Sequence, residues 1–157
     1  MPDSNSSNFE ENQPFLSEPE VEAIRLLEHR WLSEELAGNL NGILELCSDD
    51  VVWLPPGLPA LAGKDAIRTW LKHPDARIEE ISLSNVRLHG NKSIAYKLAE
   101  FRTRYVPAGS SSSAVIKGTH LWILRRKHAL VWEVALVTWT IVEEHSSNMS
   151  PGKKTRK

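Results

Sequence analysis

Cysteine is nearly absent: the 157 residues contain one, Cys47. A lone thiol excludes an intramolecular disulfide framework and a cysteine-based zinc finger, and it makes a reducing, cytoplasmic setting the default. No apolar stretch approaches the ~18–20 residues a membrane span requires; the longest break on Glu, Arg or Pro. The opening MPDSNSSNFEENQPF has neither a basic start nor an apolar segment, so no secretory signal is expected. Charge of one sign is lacking too. Nineteen basic residues against twenty acidic leave a net charge of −1, which argues against broad nucleic-acid binding. Neither nucleic acid nor a membrane is expected as a partner. There is no Gly-rich phosphate loop and no G-x-S-x-G elbow. The six histidines show no spacing that would bind a metal, so no metal and no cofactor is expected.

What is present, 41% hydrophobic and 25% charged residues, reads as one soluble globular domain. At this length folding removes roughly 68–70% of the unfolded surface from water, enough for a core and an enclosed pocket. Residues 1–15 read as a disordered acidic tail, 16–144 as the domain and 145–157 as a disordered basic tail ending in PGKKTRK.

Ser17-Glu18-Pro19-Glu20 has the spacing of a helix-capping box. Ile24, Leu27 and Trp31 then fall on one helical stripe that Gly38 ends. Asn39 or Asn41 can cap a second short helix through Leu46. Residues 51–54, closed by Pro55-Pro56, read as a short strand preceded by an Asp49-Asp50 turn, and Gly63 opens a third helix over residues 64–72. The remainder reads as β: residues 78–88, 94–106, 115–126 and 130–142, the last two forming a hairpin around residues 127–129. Helices first and long strands after make an α+β fold, with helices packed on one face of an antiparallel sheet.

Several of these features occur together in a known order. Ala37-Gly38-Asn39, Asp49-Asp50, Pro55-Pro56-Gly57 and Gly63 with Ala66-Ile67 are followed by Gly118, Arg125-Arg126, Trp132 and Trp139. Across about residues 17–143 this pattern resembles the nuclear transport factor 2-like superfamily, in its SnoaL-like and ketosteroid isomerase-like branch. The resemblance implies a cone: a strongly curved sheet wrapped around three helices, with an apolar pocket at one end. It also implies a homodimer formed through the outer sheet face and a hydrophobic small molecule as ligand. The isomerase branch uses a Tyr, an Asp base and a protonated Asp; the matching positions here are Trp31, Pro55 and Trp122, so that mechanism is rejected.

With Trp122 and Trp139 facing the pocket, the period of two in strands turns His120, Leu124, Ala135 and Val137 inward as well. A strand register summing to 220 sets Glu100 opposite His120 and points Tyr96 and Leu98 inward. Such a carboxylate–imidazole pair in an apolar cone is a workable general acid–base. The plainer alternative is a hydrogen-bonded core histidine, with Glu100 pairing Arg102 or Arg104 at the surface.

Six of the eleven aromatic residues are tryptophan. Trp31, Trp53, Trp70, Trp122 and Trp139, with Tyr96 and Val137, are expected to line the pocket, whereas Trp132 has the opposite parity and is expected outside. Arg125-Arg126-Lys127 read as a solvated hairpin tip, and His73 with Asp75 as a helix exit near the cone mouth. Cys47 reads as a small buried hydrophobe. Two functions remain open. One is a cofactor-independent acid–base enzyme (isomerase, dehydratase or cyclase) acting on a hydrophobic cyclic substrate, with His120 and Glu100 catalytic. The other is a non-catalytic binding or dimerisation module using the same cone.

Overall fold

The computed structural model describes residues 15–72 and 76–142; His73, Asp75, the basic tail and all of the acidic tail but its last residue lie outside the described residues. Helix α1 runs over Glu18–Leu36 and opens on the capping box. The Glu20 amide donates to Ser17 Oγ, and the Ser17 amide donates to Glu20 Oε2 at 2.8 Å. Glu20 also accepts from Arg126 on a distant strand at 2.5 Å, which ties the helix start to the sheet. Helix α2 (Leu40–Glu45) is capped by Asn39, and α3 spans Lys64–Trp70.

The strands are β1 (Cys47–Leu54), the two-residue β2 (Leu61–Ala62), β3 (Ala76–Gly90), β4 (Ile94–Pro107), β5 (Ala114–His128) and β6 (Val131–Val142). They form one curved, open sheet in the order β2-β1-β6-β5-β4-β3, with the helices against its concave face. All neighbours are antiparallel except β1 and β6, which run parallel. This is the α+β cone architecture expected from the sequence. Strand β1 begins four residues earlier than the apolar run suggests, so Asp49 and Asp50 lie within a strand and pair with Lys64 and Arg125. Arg125 also holds Glu133 at 3.0 Å, so the expected solvated tip is instead a clamp joining β1, β5 and β6.

One register and two bulges decide which side chains face the helices. Strands β4 and β5 pair Ala99 with His120 and Glu100 with Thr119, one residue away from the expected register. Between Ile123 and Leu124 the pairing with β6 shifts by one, leaving Ala135 as the extra residue. Below that bulge the parity of β6 reverses. Trp132 and Val134 therefore point into the core and are buried, which corrects the expectation of an outward Trp132 and an inward Ala135. A second bulge, between Ser84 and Arg87 with Asn85 at φ 50°, does the same to β3 and turns Leu88 toward the interior opposite Lys97.

Candidate active site

The inner face of the sheet is a stack of cross-strand rows. Gly90, Ala95, Leu124 and Val134 form the narrow end, and the last three are fully buried. The next row is Leu88, Lys97, Trp122, Val137 and Trp53, followed by Ala99, His120 and Trp139. Leu83, Phe101 and Gly118 complete the face toward the open end, where Phe101, His120 and Trp139 are only partly buried.

Tryptophan fills much of this interior. The Trp31 and Trp122 rings lie 4.5 Å apart, Trp31 and Trp53 5.9 Å, and Trp53 touches both Trp70 (6.5 Å) and Trp139 (6.2 Å) edge-on. Trp31, Trp53 and Trp122 are buried, whereas Trp70 is 39% exposed and stands with Trp139 at the open end. His120 is stacked between Phe101 (6.1 Å) and Trp122 (5.4 Å). Its Nε2 is buried with no hydrogen-bond partner, as is Trp53 Nε1. Burial, helped by the nearby Lys97 ammonium, pushes the imidazole down to about 3, so His120 is neutral at physiological pH.

Three further charged side chains enter the same interior. The Lys97 Nζ sits 3.6 Å from the centre of the Trp122 ring and donates to the Glu28 carboxylate. Lys97 is 2% exposed; burial pulls its ammonium below the ordinary range, against the opposing pull of Glu28 and Glu35. Glu35, one turn beyond Trp31 on α1, accepts from the Trp31 indole N–H at 3.0 Å. Burial raises its carboxyl above the usual range, with that hydrogen bond and Lys97 opposing. The Glu28–Lys97 pair borders a cavity of about 580 Å³ between α1 and β3, lined also by Val21, Ile24, Arg25 and Leu88.

The family model of the SnoaL-like domain matches residues 29–134, two thirds of the chain. The chain belongs to the SnoaL-like family. Solved structures agree on the fold. A ketosteroid isomerase-like protein from Erwinia carotovora atroseptica superposes with a TM-score of 0.70 at 16% identity, covering 81% of this chain and 99% of that one. A candidate scytalone dehydratase from Novosphingobium aromaticivorans gives 0.68 at 11% identity, covering 79% and 85%. A nuclear transport factor 2-like protein from Cytophaga hutchinsonii gives 0.61 at 11%, covering 81% and 100%. No curated protein matches the sequence.

Within this SnoaL-like domain the predicted site residues divide into two groups. His120, Trp31, Trp53, Trp70, Trp122, Val137 and Trp139 share the interior side of the sheet and helices. Glu100 and Tyr96 do not. The one-residue register difference turns both to the outer face, because side chains alternate along a strand. Glu100 there accepts from Asn85 at 2.9 Å and Ser84 at 3.4 Å and so braces the β3 bulge, while the Tyr96 ring lies tilted against His89. The carboxylate expected opposite His120 is replaced by the methyl of Ala99.

Sequence reasoning passed over Lys97, Glu28 and Glu35. The signals were there: Lys97 stands between Ala95 and Ala99 at every second position of a strand. Glu28 and Glu35 flank Trp31 at spacings of three and four, on the stripe begun by Ile24.

Proposed function

We propose that this SnoaL-like domain seats a flat, hydrophobic, oxygen-bearing ring compound at the open end of its aromatic interior, with the His120 imidazole as polar anchor. The buried, unpartnered Nε2 of His120 among aromatic rings carries this reading. A polar atom hidden from water without a partner is costly, and a ligand oxygen there would satisfy it. Trp70 and Trp139 supply half-exposed ring faces beside it. A neutral imidazole can hydrogen-bond a carbonyl or hydroxyl, and Glu35, its carboxyl raised toward neutrality, is the group suited to carry a proton. The reaction class is cofactor-independent proton transfer: isomerisation, dehydration or ring closure. Two similar structures bear the names of an isomerase and a dehydratase, which accords with that class.

One observation favours a non-catalytic binder. His120 faces Ala99 rather than a carboxylate, and its weak basicity makes it a poor base. Calorimetric titration with 2-naphthol, alongside deuterium exchange into 2-tetralone, separates the two readings. Saturable binding weakened about tenfold by His120→Gln is expected, the worth of one ordinary hydrogen bond. Absent binding, or binding indifferent to that change, overturns the seat. Accelerated exchange that falls about 10²-fold in Glu35→Gln establishes the enzyme; binding without acceleration establishes the module.

The same proposal includes a homodimer. Val52, Leu54, Leu98, Leu121, Ile123 and Leu136 alternate with buried neighbours and form an apolar belt across the outer face of β1, β6, β5 and β4. Outer faces of this kind are interaction surfaces.

A further inference from the structure

The Lys97–Glu28 pair bears on the seat at His120 only through the charge of Lys97, and its own setting suits a different chemistry. Lys97 lines the α1–β3 cavity together with the apolar side chains of Val21, Ile24, Val86 and Leu88. Glu28 lines this cavity as well, and the Lys97 nitrogen lies over the Trp122 ring face and donates to the Glu28 carboxylate. Arg25 stands at the rim and has no ion-pair or hydrogen-bond partner among the described residues.

We infer that Lys97 is a carbonyl-capturing amine, forming a Schiff base with a small aldehyde or ketone that carries a carboxylate, with Glu28 relaying the protons and Arg25 holding the carboxylate. In the resting pair the ammonium passes a proton to Glu28 as the carbonyl arrives. The nitrogen lone pair adds to the carbonyl carbon, the C=O π electrons move to oxygen, and a proton shifted from nitrogen through Glu28 completes a carbinolamine. Glu28 then protonates the hydroxyl, water leaves and the C=N bond forms as an iminium, with Glu28 again a carboxylate. The net change is one ammonium and one carbonyl giving one iminium and one water; hydrolysis is the reverse. Because the iminium keeps its positive charge at the same atom, the Trp122 face and Glu28, which favour the ammonium, favour the product as well. Burial makes the free amine more accessible than on an exposed lysine. An iminium there would draw electrons from the adjacent carbon, the starting point for carbon–carbon bond making, breaking or decarboxylation.

The test treats the full chain with glyoxylate and cyanoborohydride, then maps modified lysines by mass spectrometry. A carboxymethyl group is expected on Lys97 ahead of the exposed Lys92. Arg25→Ala should slow glyoxylate capture about tenfold, the worth of one charge-assisted contact, and leave capture of uncharged propanal unchanged. Glu28→Gln should slow both. Labelling that follows surface exposure and spares Lys97 overturns the amine assignment. Equal loss, or no loss, for glyoxylate and propanal in Arg25→Ala overturns the carboxylate preference. Wild-type mapping alone decides the first point and needs no variant of Lys97 that could fail to fold.

Discussion

His120 shows how a single side chain couples the interior to pH. Its imidazole titrates near 6.5 in an unfolded chain and about 3 in the fold, because burial and Lys97 both oppose the charged form. Between those values the unfolded state binds the proton and the folded state does not. Stability is therefore full above about pH 6.5 and falls as the pH drops toward 3. In His120→Gln, denaturant midpoints measured from pH 7 to pH 4 should lose part of that slope; an unchanged slope would show that other groups carry the acid sensitivity. Gly118 is constrained from another direction. A Cβ there would meet the Thr140 carbonyl oxygen at 1.8 Å and the Phe101 ring at 2.8 Å. Gly118→Ala must move backbone or displace the ring beside His120, at a cost of about 2–3 kcal/mol or more. Thermal unfolding would show it as a clear fall in Tm.

Strands place these side chains, and the irregularities in the strands matter more than their apolar pattern. Ala135 is the residue that lets Trp132 and Val134 below it, and Val137 and Trp139 above it, all face inward. Deleting Ala135 joins Val134 to Leu136 in an unbroken ladder that keeps the Leu124–Val134 and Ile123–Leu136 pairs, so Trp132, Val134, Val137 and Trp139 all stay inward. One alanine inserted between Leu136 and Val137 would instead turn one half of β6 outward. Cooperative thermal unfolding should survive the deletion and be lost in the insertion; an insertion variant that melts as sharply as the parent would mean the parity of β6 is set elsewhere. Glu100 belongs to this level as well. It holds Asn85 and Ser84 at the β3 bulge, and that bulge carries Val86 and Leu88 to the wall of the Lys97 cavity. The residue expected to do chemistry instead shapes the strand beside it.

Taken whole, the molecule is an open sheet with an aromatic interior and an apolar outer belt. No helix among the described residues is long and apolar enough to cross a membrane. The belt predicts self-association. Sedimentation equilibrium should find a dimer, and Leu121→Glu together with Ile123→Glu should return a folded monomer, since charges directly across such an interface are desolvated without partners. A parent that sediments as a monomer at all concentrations would remove the dimer from the proposal.

Some of this architecture needed no coordinates. The capping box at Ser17–Glu20, the stripe of Ile24, Leu27 and Trp31, the glycine and asparagine punctuation and the run of long strands are local signals. Each acts over a few residues, and each was realised. The order of the family motifs placed the fold in the same way. Register is different in kind, because it depends on how two segments with twenty residues between their partners align. The Ala99–His120 pairing and the shift at Ala135 were settled by core packing, which sequence periodicity does not contain. A one-residue offset was enough to exchange Glu100 for Ala99 at His120. It also brought Lys97, from the middle of a strand, to Glu28 on the first helix, a juxtaposition of side chains 69 residues apart that only the closed fold creates.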